Sequence, residues 1–208
     1  MLHYRTIKPE SFLVLKKLMQ LPELKNFYLV GGSALSLYYG HRLSVDLDLF
    51  STSPFANEDI IPALGENFKD FHYRNASNPI GLFCTIENLK VDFIKHHDHP
   101  LIDKPLEIEG VRMFSQREIM AMKIAAILKR GVKKDFWDLD ELFRHFTVSE
   151  CITAYTQKYP SQELLISIPY ALTYFADAEE SEDPVSLKEQ TWSLVKRSIQ
   201  HKVNEYLK

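Results

Sequence analysis

The sequence predicts an α+β fold, with a mixed β-sheet and flanking helices over residues 1–112 and a helical half over 113–208. Three observations carry that prediction. Val45 to Phe50 alternates strictly, Val45, Leu47 and Leu49 facing one way and Asp46 and Asp48 the other, which is strand periodicity. Short runs at 71–74, 81–87 and 90–95 read as further strands, with Glu87-Asn88 as a hairpin turn. From Ser115 onward apolar residues recur at helical spacing instead.

Each element has a local reason. Ser11 to Leu21 carries Phe12, Leu13, Leu15, Leu18, Met19 and Leu21 at helical period and is closed by Pro22. Phe27 to Val30 is β-prone and ends on Gly31-Gly32, after which Ala34 to Tyr39 reads as a helix stopped by Gly40. Ile60 to Phe68 reads as another helix. In the second half, helices are expected at 119–130 (ended by Gly131), 135–146, 151–159 and 163–176. The stretch DAEESEDP, residues 177–184, is an acidic loop terminated by proline. A final helix aligns Trp192, Val195, Ile199, Val203 and Tyr206 on one stripe.

The 208 residues suffice for one compact domain or two small ones with a genuine core. A net charge of −3 excludes a global basic field, so a nucleic acid would have to meet a local patch. Cys84 and Cys151 lie in apolar segments without metal-ligand spacing and read as reduced core residues. The amino terminus lacks the apolar stretch of a signal peptide, and no run approaches the ~18 apolar residues of a membrane span. A cytoplasmic protein is expected.

Asp46 and Asp48 pose the chemical question. Side chains at i and i+2 of a strand share a face roughly 6.5–7 Å apart. Carboxylates so placed can converge on a pair of hard cations, which in two-metal sites sit about 3.5–4 Å apart. A solvated edge strand with its acids outward is the alternative. Gly31-Gly32-Ser33 follows a strand and opens a helix, where glycine lets a ligand approach the backbone and free N–H groups favour phosphate. The Ser33 hydroxyl could donate to a phosphate oxygen or cap the helix. A dinucleotide fold is excluded, because G-x-G-x-x-G is absent. Asp92, in the apolar strand Lys90-Val91-Asp92-Phe93-Ile94, is a third acid that could lie beside the pair; otherwise it is an outward polar residue.

The string G-G-S-x12-D-x-D, followed by a lone Asp in an apolar strand, resembles the polymerase-β-type nucleotidyltransferase superfamily. The fuller text GGSALSLYYGHRLSVDLDLFS is similar, more narrowly, to the AbiEii toxin family of type IV toxin–antitoxin and abortive-infection systems. The resemblance implies a nucleotidyltransferase-type sheet and a helical second half. It implies that Gly31, Gly32 and Ser33 cradle the triphosphate, that Arg42 and Ser44 border the nucleotide, and that Asp46 and Asp48 hold Mg²⁺. Asp92 becomes the third metal acid and the deprotonator of the acceptor hydroxyl.

Two features of the helical half extend this reading. Lys123 sits among Ile119, Met120, Ala126 and Ile127, so it emerges from an apolar face, either snorkelling to solvent or serving as a cation for the triphosphate. Arg130 falls on the same stripe. Lys134-Asp135-Phe136-Trp137-Asp138-Leu139 resembles the K/R-D-x-x-D-L helix opening of the same family, which makes Lys123 and Asp135 expected contributors to activity and Asp138 a structural residue. Acids at a helix start also favour the helix dipole whatever the function. His96-His97-Asp98-His99 has no zinc spacing and reads as a polar turn.

The resulting expectation is transfer of a nucleoside monophosphate from an NTP to an acceptor hydroxyl. The resemblance points to RNA, particularly tRNA 3′ ends, as the acceptor and to an antitoxin protein as partner. Lys129, Arg130, Lys133 and Lys134 are candidate phosphate contacts or simply a solvated helix junction. The alternatives are nucleotidylylation of a protein, transfer to a small molecule as in aminoglycoside nucleotidyltransferases, and a non-catalytic nucleotide-binding module.

Overall fold

A computed structural model describes residues 1–208. Seven strands form one mixed sheet: β1 (Phe27–Val30), β2 (Leu47–Ser51), β3 (Phe71–Tyr73), β4 (Gly81–Ile86), β5 (Leu89–Lys95), β6 (Leu106–Ile108) and β7 (Val111–Met113). Their order across the sheet is β3-β4-β5-β2-β1-β7-β6. β2 lies centrally, antiparallel to β1 and parallel to β5, and its register sets Asp48 directly beside Asp92. β4 and β5 form the anticipated hairpin, with Glu87 at φ 50° and Asn88 at φ 63° in its two-residue turn.

The helices are α1 (Pro9–Gln20), α2 (Gly31–Tyr39), α3 (Asn57–Asn67), α4 (Gln116–Lys129), α5 (Lys133–Leu142), α6 (Val148–Lys158), α7 (Ile168–Thr173) and α8 (Trp192–Tyr206). The apolar residues join a single cluster of 51 buried side chains running from Leu2 to Val203, so sheet and helices share one core. Within it, Lys158 of α6 and Glu118 of α4 form a fully buried ion pair. Glu118 also accepts a hydrogen bond from the Ile102 amide at 2.7 Å, which satisfies its second oxygen. No helix is long and apolar enough to cross a membrane.

Several elements differ from the sequence expectation: α3, α4 and α6 each start three residues early and α5 ends four residues early, and four further differences bear on the fold. β2 begins at Leu47, leaving Asp46 just outside it, because the preceding segment makes its backbone hydrogen bonds elsewhere. Ser44 donates its amide to Thr6, and Leu43 donates to Val185. α2 starts three residues early, taking Gly31 and Gly32 into its first turn. The helix expected over 163–176 shrinks to Ile168–Thr173: the Ser167 hydroxyl caps it, and Pro169 sits in its first turn, where a missing N–H costs nothing, whereas a helix starting at 163 would place that proline in its interior. The β6–β7 hairpin was not anticipated; its strands are three residues long, too short for a period to register.

Candidate active site

Strand β1 runs into α2 through Gly31 at φ +67°, a left-handed conformation that glycine adopts without strain. Side chains at this corner would also collide with the site. A Cβ on Gly31 would sit 2.7 Å from Asp48 Oδ2, and one on Gly32 would sit 2.1 Å from Arg42 Nη2. The two glycines therefore let a carboxylate and a guanidinium close over the start of α2. Ser33 is buried, donates its hydroxyl to the Asp46 carbonyl and lies 2.8 Å from the Ser44 hydroxyl. It neither caps the helix nor stands free; it pins the segment carrying Asp46 against α2.

These elements wall a cavity of about 610 Å³. Gly31, Gly32, Ser33, Arg42, Ser44, Asp46, Asp48, Asp92, Lys123 and Asp135, the residues singled out from sequence, all line it. Arg130 and Lys134 join them from the α4–α5 junction, and both are exposed without a carboxylate partner, unlike neighbouring Lys133, which pairs with Asp183 at 2.8 Å.

The acidic side of the cavity is under-compensated. Burial, then the Asp92 carboxylate alongside, raises the pKa of Asp48, against the lowering influence of Lys123 and Lys90. Asp92 is buried; its Oδ2 meets Lys90 at 3.0 Å, while its Oδ1 has no hydrogen-bond partner. A buried, unpartnered carboxylate oxygen beside a second carboxylate is a position that a hard cation would satisfy. The donor set of Asp46, Asp48 and Asp92 thus fits Mg²⁺ chemically, although the side chains are not drawn together into a three-ligand cage. The His96–His99 segment is a turn, in keeping with its reading from sequence. Burial, with Lys158 nearby, pushes His96 down to about 3, so its ring is neutral.

The opposite wall is balanced. Asp138, fully buried, accepts Arg42 Nε at 2.6 Å and Nη2 at 2.9 Å, lies 2.7 Å from His41 Nε2 and pairs with Lys123 Nζ at 2.7 Å. Lys123 also meets Asp135 at 2.8 Å. Burial works to lower the pKa of Lys123, but Asp138 and Asp135 prevail and raise it. Burial likewise works against ionised Asp138, yet Arg42 and Lys123 hold it well below the usual carboxylate range. Lys123 therefore neither snorkels to solvent nor stands alone. Two of its three N–H donors are committed, leaving one for a ligand.

Sequence reasoning missed how much Asp138 gathers, since its partners lie 96 and 97 residues away. It also missed the strap at 182–187. Glu182, Asp183, Pro184 and Val185 line the cavity, and the strap is bridged to Arg42 through Ser186. Nothing local in DAEESEDP marks it as part of a site. Cys84 and Cys151 are free and buried, each pushed by burial to about 12, and so are not nucleophiles.

Comparison with known proteins accords with this architecture. Residues 13–193 match the family described as nucleotidyl transferase AbiEii toxin, type IV TA system. The uncharacterized protein aq_aa25 of Aquifex aeolicus is 32% identical over 211 residues, covering 98% of each chain. Among solved structures, one from H. pylori described as a candidate nucleotidyltransferase superposes with a TM-score of 0.59 at 17% identity, over 95% of this chain and 94% of that one. MenT4, a nucleotidyltransferase toxin from Mycobacterium tuberculosis, superposes with a TM-score of 0.58 at 13% identity, over 92% of this chain and 80% of that one. At these identities the two structures establish the fold.

Proposed function

The chain belongs to the AbiEii nucleotidyltransferase toxin family of type IV toxin–antitoxin systems, and from that premise we propose that it transfers a nucleoside monophosphate from an NTP to an RNA hydroxyl in the cavity described above. The observation that carries the proposal is the convergence of the Gly31–Ser33 helix start, three aspartates and Lys123 on one cavity.

Roles follow from the chemistry of the walls. Gly31 and Gly32 line the cavity at the start of α2, whose free N-terminal amides suit phosphate oxygens. Asp46, Asp48 and Asp92 would hold Mg²⁺, which when bound neutralises phosphate charge and acidifies the acceptor hydroxyl. Asp92 would also accept the proton of that hydroxyl. Lys123 offers its remaining N–H to the departing pyrophosphate, held in place by Asp135 and Asp138. Arg42, locked on Asp138, borders the nucleotide from beside Gly32, and Ser44 does so from beside Ser33. Lys134 adds unpaired positive charge at the rim. No covalent enzyme intermediate is required; orientation and charge complementarity suffice. As a member of this family the protein is expected to be neutralised by an antitoxin.

Incubation with each α-labelled NTP, Mg²⁺ and total tRNA, with cell protein in a parallel reaction, tests the proposal. Label is expected on RNA with the wild type and on nothing with the Asp46→Ala/Asp48→Ala double variant. Undiminished transfer by that variant would refute the mechanism. Label on protein alone would move the acceptor to a protein hydroxyl.

A further inference from the structure

A second, smaller cavity of about 210 Å³ lies on the helical half, lined by Lys129, Arg130, Ile166, Tyr170, Tyr174 and Asp177 among others. Arg130 lines both this cavity and the nucleotide cavity, so the two adjoin across a single guanidinium. Tyr170, in α7, and Tyr174, just past its end, stand one turn apart with their rings nearly parallel, at 18° and 6.0 Å between centroids. They are 57% and 45% exposed, although large aromatic side chains gain most from burial. No hydrogen bond or core contact explains their stacking in the open. Lys129 and Arg130 beside them are exposed and form no ion pair, so the groove combines flat π-faces with uncommitted positive charge.

Aromatic faces alongside free cations form the combination that receives a single-stranded nucleic acid, stacking bases on the rings and placing phosphates on the cations. An apolar protein partner would make less use of the two cations. We propose that Tyr170 and Tyr174 are the stacking platform for the single-stranded 3′ end of the RNA acceptor, and that Arg130 guides its phosphodiester into the nucleotide cavity. This rests on the reading above that the acceptor is RNA, and it adds the surface that holds that acceptor.

The test uses the full chain with a labelled single-stranded RNA of about 12 nucleotides. Both the KM for RNA in nucleotidyl transfer and direct binding by fluorescence anisotropy are measured for wild type, Tyr170→Ala/Tyr174→Ala and Tyr170→Phe/Tyr174→Phe. Alanine substitution of a stacking aromatic commonly weakens binding about tenfold or more per base. The alanine pair should therefore raise the RNA KM and Kd at least about tenfold, with NTP binding unchanged, and the phenylalanine pair should restore both. An unchanged RNA KM in the alanine pair, with transfer to RNA intact, overturns the platform while leaving the RNA reading standing. Failure of the wild type to bind or label RNA overturns both. Equal loss in the phenylalanine pair also overturns the platform, because stacking would not be the cause.

Discussion

The cavity has two charged walls that treat buried charge in opposite ways. On the sheet side, Asp48 and Asp92 lie side by side in register, Asp48 has a raised pKa, and Asp92 keeps a carboxylate oxygen without a partner. On the helical side, Asp138 is more deeply buried still, yet it is met by His41, Arg42 and Lys123, and its pKa is depressed. The first wall is a set of anions awaiting a cation; the second is a charge-balanced ion network that holds its members still and leaves one Lys123 N–H free. Burial alone does not distinguish a ligand site from a scaffold. The sign of the unsatisfied charge does.

The comparison breaks most visibly at Asp138. Asp138→Ala leaves Arg42 and Lys123 buried without their shared anion, and should cost about 3–5 kcal/mol in urea unfolding. Because folding lowers the Asp138 pKa, its stabilisation is complete above the unfolded carboxylate range and is lost as pH falls through the folded value. The variant should therefore show a shallower loss of stability on acidification than wild type.

A change on the other wall should have the opposite sign. Asp48→Asn removes one of two crowded carboxylates and should raise the stability of the ligand-free protein by about 1 kcal/mol while abolishing transfer. Folding raises the Asp48 pKa, so the native state binds more protons than the unfolded one between the two values. Its contribution to stability falls as pH rises through that window, and the deficit is complete above the folded value. Thermal unfolding of wild type against Asp48→Asn, followed at rising pH from the free carboxylate range upward, would reveal a gap that widens with pH. A gap that closes with rising pH would contradict the contrast.

The smallest expected effect is at the edge of the acidic wall. Lys90 is largely exposed where it meets Asp92, so Lys90→Ala should shift stability by no more than about 0.5 kcal/mol. A larger loss would mean that Lys90, rather than an external cation, balances Asp92.

Much of this contrast was legible in the sequence on one wall and little of it on the other. Leu47, Asp48 and Leu49 advertise a strand because a period of two is a local property, and Asp92 shows the same signature in its own strand. Their adjacency was not legible: it depends on β2 and β5 being neighbours in the sheet with Asp48 and Asp92 in register. The hub at Asp138 could not be read this way. Its acid, arginine and lysine sit on three elements, and within α5 alone an acid in the opening turns is explained by the helix dipole. The strap at 182–187 was equally silent, because its role depends on backbone hydrogen bonds to residues 41–43. The α7 boundary was misread because Leu164, Leu165 and Ile166 suit a helical stripe but lie exposed ahead of Ser167 and Pro169.

The most direct test is calorimetric titration of Mg²⁺ with a non-hydrolysable NTP analogue, run in two buffers of different ionisation enthalpy for wild type and Asp48→Asn. If the acidic wall exists to take a divalent cation, the wild type binds with net proton release near the raised Asp48 pKa, and Asp48→Asn loses both affinity and proton release. Equal affinity in the two proteins, with no proton released by either, would contradict it.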